Sequence, residues 1–212
     1  MKNVRVFYKK CGRMRFVSHL DMNRFMSRVI MRSGIPIWYT EGFNPHPYIT
    51  FALPLPLGFE SDYEIMDIRV EDDNITYNEI CDRISDVCPE YISIIGAAEP
   101  VLKTGKVAFA EFHIRFENAS AAKDFYEFLG RESVICRKTT KRGNVKEIDI
   151  IPKIIKKEIK DCTVTIILPA GSEDNLNPTL VLDAFFEATG AKQEYYGVTR
   201  TKIFDADMNL FK

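Results

Sequence analysis

Three side chains stand where they could move a proton. His46 lies between two prolines in Gly42-Phe43-Asn44-Pro45-His46-Pro47. Each proline fixes φ and removes a backbone donor, so the imidazole is expected on a pre-ordered loop, free to donate or accept. Asp21 and His19 follow Ser18 in Ser18-His19-Leu20-Asp21. That S-x-x-D spacing predicts a helix cap in which the Asp21 oxygens are already hydrogen-bonded, which suits a cap better than a general base. Asp21 and His46 are therefore the catalytic candidates, with capping the plainer role for Asp21.

A second set of residues suits anion binding. Arg24, Arg28 and Arg32 recur every four residues and predict one cationic ridge on a helix. Arg13 and Arg15 just before it are expected to extend that ridge. Forked guanidinium groups match phosphate oxygens, while Phe43 and Tyr48 offer flat faces and Asn44 an amide in the same loop.

Charge is distributed unevenly. The total is -1, yet residues 1–59 hold nine Lys/Arg against Asp21 and Glu41, and residues 60–100 hold twelve acids against Arg69 and Arg83. A further basic stretch runs from Arg137 to Lys160. If the basic segments share a surface beside His46, that surface attracts a polyanion.

Several chemistries are missing from the sequence. No phosphate-binding G-x-x-x-x-G-K-[ST] loop, dinucleotide G-x-G-x-x-G, nucleophile elbow or H-E-x-x-H occurs. The three histidines are scattered and none of the five cysteines forms a C-x-x-C pair, so no metal, cofactor or disulfide framework is expected. Buried or incidental thiols are the simpler reading. The cysteine cluster of a radical-SAM centre is also missing. With 46% hydrophobic and 28% charged residues the composition is that of a globular protein. No apolar run reaches the roughly 20 residues that span a bilayer, and no secretory signal is read, so the expectation is a cytoplasmic protein without a membrane contact.

The elements that must position these groups fall in a repeated order. Strands are predicted at Val4–Lys9, Ile37–Tyr39, Tyr63–Val70 and Tyr91–Ala97, with Arg13–Phe16 extending the first or forming a short strand of its own. Helices are predicted from Ser18 to Gly34, with a stripe of Leu20, Phe25, Met26, Val29 and Ile30, and from Thr76 to about Val87. A second pass gives strands at Val107–Phe116, Val134–Thr139, Val145–Ile151 around a Gly143-Asn144 turn, Thr163–Leu168 and Tyr196–Phe204. Its helices start at Asn118 and at Asn177-Pro178. Two successive β-α-β-β-α-β orders, the second with one extra strand, predict an α+β protein of two tandem ferredoxin-like sandwiches with antiparallel sheets. The halves are expected at residues 1–102, carrying the proline-rich loop, and 106–212.

The runs Arg15-Phe16-Val17-Ser18-His19-Leu20-Asp21, Gly42-Phe43-Asn44-Pro45-His46-Pro47 and Pro54-Leu55-Pro56-Leu57-Gly58-Phe59-Glu60-Ser61 resemble a bacterial family, the radical-SAM-associated domain of unknown function numbered 2344. The likeness continues through Lys141-Arg142-Gly143, Glu147-Ile148-Asp149-Ile150, Asn177-Pro178 and Thr199-Arg200-Thr201. It brings Arg200 into the set of candidate binding residues. Thr199 departs from the basic residue or His that the family usually places before Arg-Thr.

Members of that family occur alone or fused behind a radical-SAM protein with a cobalamin-type domain. Their genes neighbour an E/G-type ribonuclease and ribosomal-protein genes. The resemblance thus implies a radical-SAM/cobalamin-type partner and an RNA or ribosome setting, without established catalytic residues. Three functions follow as expectations: an accessory module that binds RNA for its partner and has no activity of its own, an RNA-modifying or RNA-processing enzyme with a cleft between halves, and a protein-binding scaffold.

Overall fold

The computed structural model describes residues 1–139, 145–172, 174–190 and 197–212. It is an α+β protein with four α-helices among the described residues, and every strand pairing described is antiparallel. Met1–Val107 together with Leu210–Lys212 form one compact unit, and Ala108–Asn209 form a second. The Gly143-Asn144 turn and Lys141-Arg142-Gly143 lie outside the described residues.

In the first unit, β1 (Lys2–Lys10) leads through a 3-10 turn at Gly12–Phe16 to α1 (His19–Arg32). Then come β2 (Ile49–Phe51), β3 (Glu60–Val70), α2 (Tyr77–Ser85) and β4 (Ile92–Ala98). The sheet order is β4-β1-β3-β2. Strand alternation explains the core: Val4, Val6 and Tyr8 of β1 and Met66, Ile68 and Val70 of β3 share one face with Met22, Met26, Val29 and Ile30 of α1 and Ile80 and Ile84 of α2. Met22 replaces Leu20 in the expected stripe; Leu20 is exposed and Phe25 only half-buried. Spacing of i, i+4, i+7 and i+8 is the face a 3.6-residue helix buries.

The opposite sheet face holds a charged pair. Arg5 and Asp67 are register partners across β1 and β3. Arg5 is fully buried; its Nε and Nη2 each donate to an Asp67 oxygen at 2.7 Å, Nη2 also donates to the Leu102 carbonyl at 2.8 Å, and Nη1 has no partner. The Phe211 ring lies 4.9 Å from the guanidinium carbon, and the Tyr63 hydroxyl donates to the Phe211 carbonyl at 3.0 Å. The last three residues thus fold back on this unit.

Burial pushes the Tyr63 phenol up to about 12 from 10.0, against the lowering effect of Arg5. Unfolded tyrosine releases its proton near 10 while the native phenol retains it, so this group's stabilisation is complete below pH 10 and is lost between 10 and about 12. Tyr63→Phe should flatten that part of the pH–stability profile; an unchanged slope in urea midpoints would contradict the assignment.

The second unit runs β5 (Phe109–Arg115), α3 (Ala119–Phe128), β6 (Ile135–Thr139), β7 (Val145–Asp149), β8 (Lys156–Lys160), β9 (Thr163–Pro169), α4 (Pro178–Thr189) and β10 (Gly197–Phe204). Its sheet order is β10-β5-β9-β8, with β6 and β7 paired as a separate hairpin. Phe116, Phe125, Phe128 and Phe185 interlock at centroid distances of 5.2 to 6.5 Å to form its core.

Three local expectations need correction. Arg13–Phe16 is a 3-10 turn, because Met14 N–H donates to Cys11 O and Val17 N–H to Met14 O. Ile37–Tyr39 makes only isolated bridges, to Val70 and Pro47, and the strand in this place is Ile49–Phe51 after the prolines. Finally, β8 was not expected, so the second unit has two extra strands and not one.

Gly12 requires its residue type. Its φ is +55°, and an added Cβ would stand 2.6 Å from Tyr91 Cδ1. Gly12→Ala should cost about 1–3 kcal/mol in thermal or urea unfolding. Tyr91→Ala in the same chain should restore the steric part; no recovery would place the cost in the backbone alone.

Candidate functional site

Two of the motif strings meet at the junction of β1 and α1. Gly58 N–H donates to Arg15 O at 2.8 Å, Gly12 N–H to a Glu60 carboxylate oxygen at 2.9 Å, and Lys10 Nζ to Val17 O at 3.0 Å. These bonds lock the Pro54–Ser61 string against the Arg15–Asp21 string. Buried Lys10, Ser61 and Glu64 lie on the strands beneath.

Asp21 completes a cap. Its backbone N–H donates to Ser18 Oγ at 3.2 Å, and Ser18 Oγ donates to Asp21 Oδ2 at 2.7 Å. Arg24 adds an ion pair at 3.2 Å. His19, in the same turn, is exposed and packs edge-on to Phe51 at 5.4 Å. Asp21 is therefore committed to holding the helix start.

The Gly42–Pro47 string forms a hairpin tip. Thr40 N–H donates to His46 O at 2.9 Å and Tyr48 N–H to Trp38 O at 3.0 Å. Between these bonds Glu41, Gly42, Phe43, Asn44 and Pro45 are all exposed. His46 Nδ1 lies 3.0 Å from the Asn44 carbonyl and 3.0 Å from Thr40 Oγ1, and its backbone N–H donates to that same hydroxyl oxygen. A carbonyl only accepts, so Nδ1 carries a hydrogen and donates to Asn44 O. Tyr48 is half-buried beside Trp38.

The arginines are spread along α1 and the turn before it. Arg13 and Arg15 precede α1, and Arg32 ends it; at 1.5 Å per residue a 14-residue helix separates them by about 20 Å. Arg13, Arg24, Arg28 and Arg32 are exposed, and Arg15 lies with its guanidinium carbon 4.7 Å from the exposed Phe16 ring. Among the described residues Arg13, Arg28 and Arg32 have no ion pair or side-chain hydrogen bond. Three other cations in this unit are neutralised by the acidic segment: Arg5 by Asp67, Lys9 by Asp62 and Arg83 by Glu79. A polar depression of about 410 Å³ past the end of α1 includes that last pair, with Arg83 also donating to Gly34 O.

Arg200 differs from the rest. It is 1% exposed on β10 and is not offered to an outside ligand. Next to it, Thr201 Oγ1 donates to Glu111 at 2.7 Å and Lys202 Nζ reaches the same oxygen at 3.0 Å. Burial pushes the Glu111 carboxyl up, but hydrogen bonds from Thr201 and Lys202 and the charges of Lys202 and His113 outweigh it and hold it below its usual range. Thr199-Arg200-Thr201 is thus part of the second unit's framework.

The sequence pattern of the bacterial family DUF2344, described as an uncharacterized protein conserved in bacteria, matches residues 3–178. The chain belongs to that family. The DUF2344 match includes the cap, hairpin and Pro54–Ser61 strings and stops before Thr199. No curated protein matches the chain.

Among the described residues, no group of three or more His, Cys, Asp or Glu side chains could hold a metal ion. Nor is any helix there long and apolar enough to cross a membrane. The five cysteines are free; Cys136 is buried as expected, whereas Cys11 is exposed. Two residues escaped the sequence reading: Arg69, one of two cations in the acidic segment, and Trp38, the single tryptophan. Period-two alternation from Asp67 puts Arg69 on the sheet face away from the helices, which was a usable signal.

Proposed function

We propose that this chain is a cytoplasmic RNA-binding accessory module that serves a radical-SAM/cobalamin-type partner and has no activity of its own. Its two units are best understood as tandem ferredoxin-like sandwiches, since each follows a 4-1-3-2 strand order once the β6–β7 hairpin is set aside. The observation that carries the binding role is the α1 face. Arg28 and Arg32, with Arg13 before the helix, keep their charges unpaired among the described residues, while Asp67 and Asp62 of the acidic segment are taken by Arg5 and Lys9. Unpaired guanidinium groups on a rigid helix are arranged to replace phosphate counterions.

An enzyme built on Asp21 and His46 has less support, because each is engaged by its own local partners. A protein-binding role alongside RNA is favoured by one feature. Phe43 at the hairpin tip, and Phe16, Leu20 and Leu57 near the start of α1, are large apolar side chains left exposed. These suit the radical-SAM partner.

Titration against transfer or ribosomal RNA tests the principal reading. About three phosphate contacts should make affinity fall roughly ten- to fiftyfold between 50 and 200 mM salt. No binding at low salt, or a constant that ignores salt, would refute it.

A further inference from the structure

On the sheet face away from the helices, Arg69 of β3 lies against two aromatic rings that also touch each other. Its guanidinium carbon lies 4.7 Å from the Trp38 ring centroid and 4.8 Å from that of Tyr48, and the rings meet at 61° with centroids 5.7 Å apart. Backbone bonds fix the arrangement: Trp38 N–H donates to Arg69 O at 2.8 Å and Tyr48 N–H to Trp38 O at 3.0 Å. The Pro45-His46-Pro47 neck and the Thr40–His46 bonds hold the two aromatic arms at this spacing. That gives the motif string a mechanical purpose independent of proton transfer.

Arg69 is unlike Arg5, the other arginine on this unit's sheet. Its Nε donates to Asn3 Oδ1 at 3.2 Å, and its Nη groups have no acceptor among the described residues. Neither the Trp38 indole N–H nor the Tyr48 hydroxyl has a protein partner there. All three side chains are half-buried, and their unpartnered donors are not among the buried ones, so they meet solvent. The nearby acids are partly spent: Asp67 is held by Arg5 and Asp73 by the Met1 ammonium, while Glu71 and Asp72 remain. Residual negative charge disfavours a long phosphate track here and favours one stacked nucleotide. Base–aromatic stacking is tolerant of sequence, and a guanidinium flanked by rings adds a forked donor for one phosphate or a base edge.

We propose that Trp38, Tyr48 and Arg69 form a stacking site for one nucleotide of single-stranded RNA. This rests on the RNA-binding reading and names the contact within it. The site reads unpaired bases on the outer sheet face, while the α1 arginines hold the backbone of the same molecule without selecting among bases.

Trp38 is its own reporter, being the chain's single tryptophan. The full chain is titrated at low salt with six-nucleotide oligoadenylate and oligouridylate. Binding is followed by anisotropy of an end-labelled copy and, for the unlabelled one, by Trp38 emission. Saturable quenching that tracks the anisotropy curve is expected. Tyr48→Leu and Arg69→Lys should each weaken hexamer binding about tenfold. Free Trp38 emission and circular dichroism report whether these variants fold, and if they do not, the wild-type quenching curve decides alone. Binding that leaves Trp38 emission unchanged overturns the stacking site and leaves the RNA-binding reading standing. Failure of the hexamers and of long RNA to bind at low salt overturns both. Quenching by an acidic peptide of equal charge on as tight a curve overturns the assignment to nucleotides.

Discussion

Asp67→Ala is expected to destabilise the first unit by about 3–5 kcal/mol, because it strands the Arg5 charge where water does not reach. Arg5 is fully buried and depends on Asp67 for two of its three hydrogen bonds. What remains is the Leu102 carbonyl and the Phe211 ring, and Nη1 already lacks a partner in the intact protein. A loss of that size is a large fraction of the 5–15 kcal/mol that stabilises a typical domain. The pair itself is a different matter. Replacing both residues, Arg5→Met with Asp67→Leu, should recover most of the loss, since the desolvation cost of both charges disappears together. Urea unfolding followed by Trp38 emission reads the unit that contains the pair. A loss below about 1 kcal/mol for Asp67→Ala would mean that solvent reaches Arg5, contrary to its burial.

That pair illustrates what sequence reveals and what it withholds. Local signals were readable because they act within a few residues: Ser18, Thr76, Asn118 and Asn177 each accept a backbone N–H of the helix they precede. Gly190 ends α4 in the left-handed region, as a glycine past a helix end should. Strand alternation likewise placed β3, β5 and β9 within a few residues. Lys156–Lys160 escaped because Lys-Lys-Glu-Ile-Lys carries almost no apolar alternation; among the described residues it pairs with β9 alone, and an edge strand of that kind is kept charged. Ile37–Tyr39 reads as a strand by composition. The chain leaves the sheet after a single bridge to Val70, and only a long-range register decides that.

The site divides in the same way. Helical spacing was enough to put Arg24, Arg28 and Arg32 on one exposed ridge, and the cap spacing was enough to assign Asp21. Which arginines are free could not be read. Arg5, Lys9, Arg28 and Arg32 are alike in sequence, and only strand pairing brings Asp67 and Asp62 to the first two. In sequence the hairpin is a proline-bounded loop presenting His46, whereas its bonds also set Tyr48 against Trp38, a residue eight positions before the histidine. The contact with Arg69 depends on the β3 register and has no sequence signature.

If the α1 ridge is the phosphate-binding face, Arg28→Glu with Arg32→Glu should reduce RNA affinity about 100-fold at low salt. The two changes remove two phosphate contacts and add two repulsive charges, and the slope of log affinity against log salt should become shallower by about 2. Folding should change by less than about 1 kcal/mol. Both side chains are exposed and unpaired, and the main penalty is a carboxylate at the negative end of the helix dipole. The control is Lys106→Glu with Lys123→Glu, which alters net charge equally at exposed lysines that do not belong to α1, one of them already paired with Glu127. Net charge alone predicts equal losses from the two variants; a localised face predicts a loss mainly from the first. Equal losses would therefore reduce the ridge to one patch among many. A large loss confined to Arg28 and Arg32, with Trp38 quenching preserved at saturating RNA, would separate backbone holding by α1 from base stacking at Arg69.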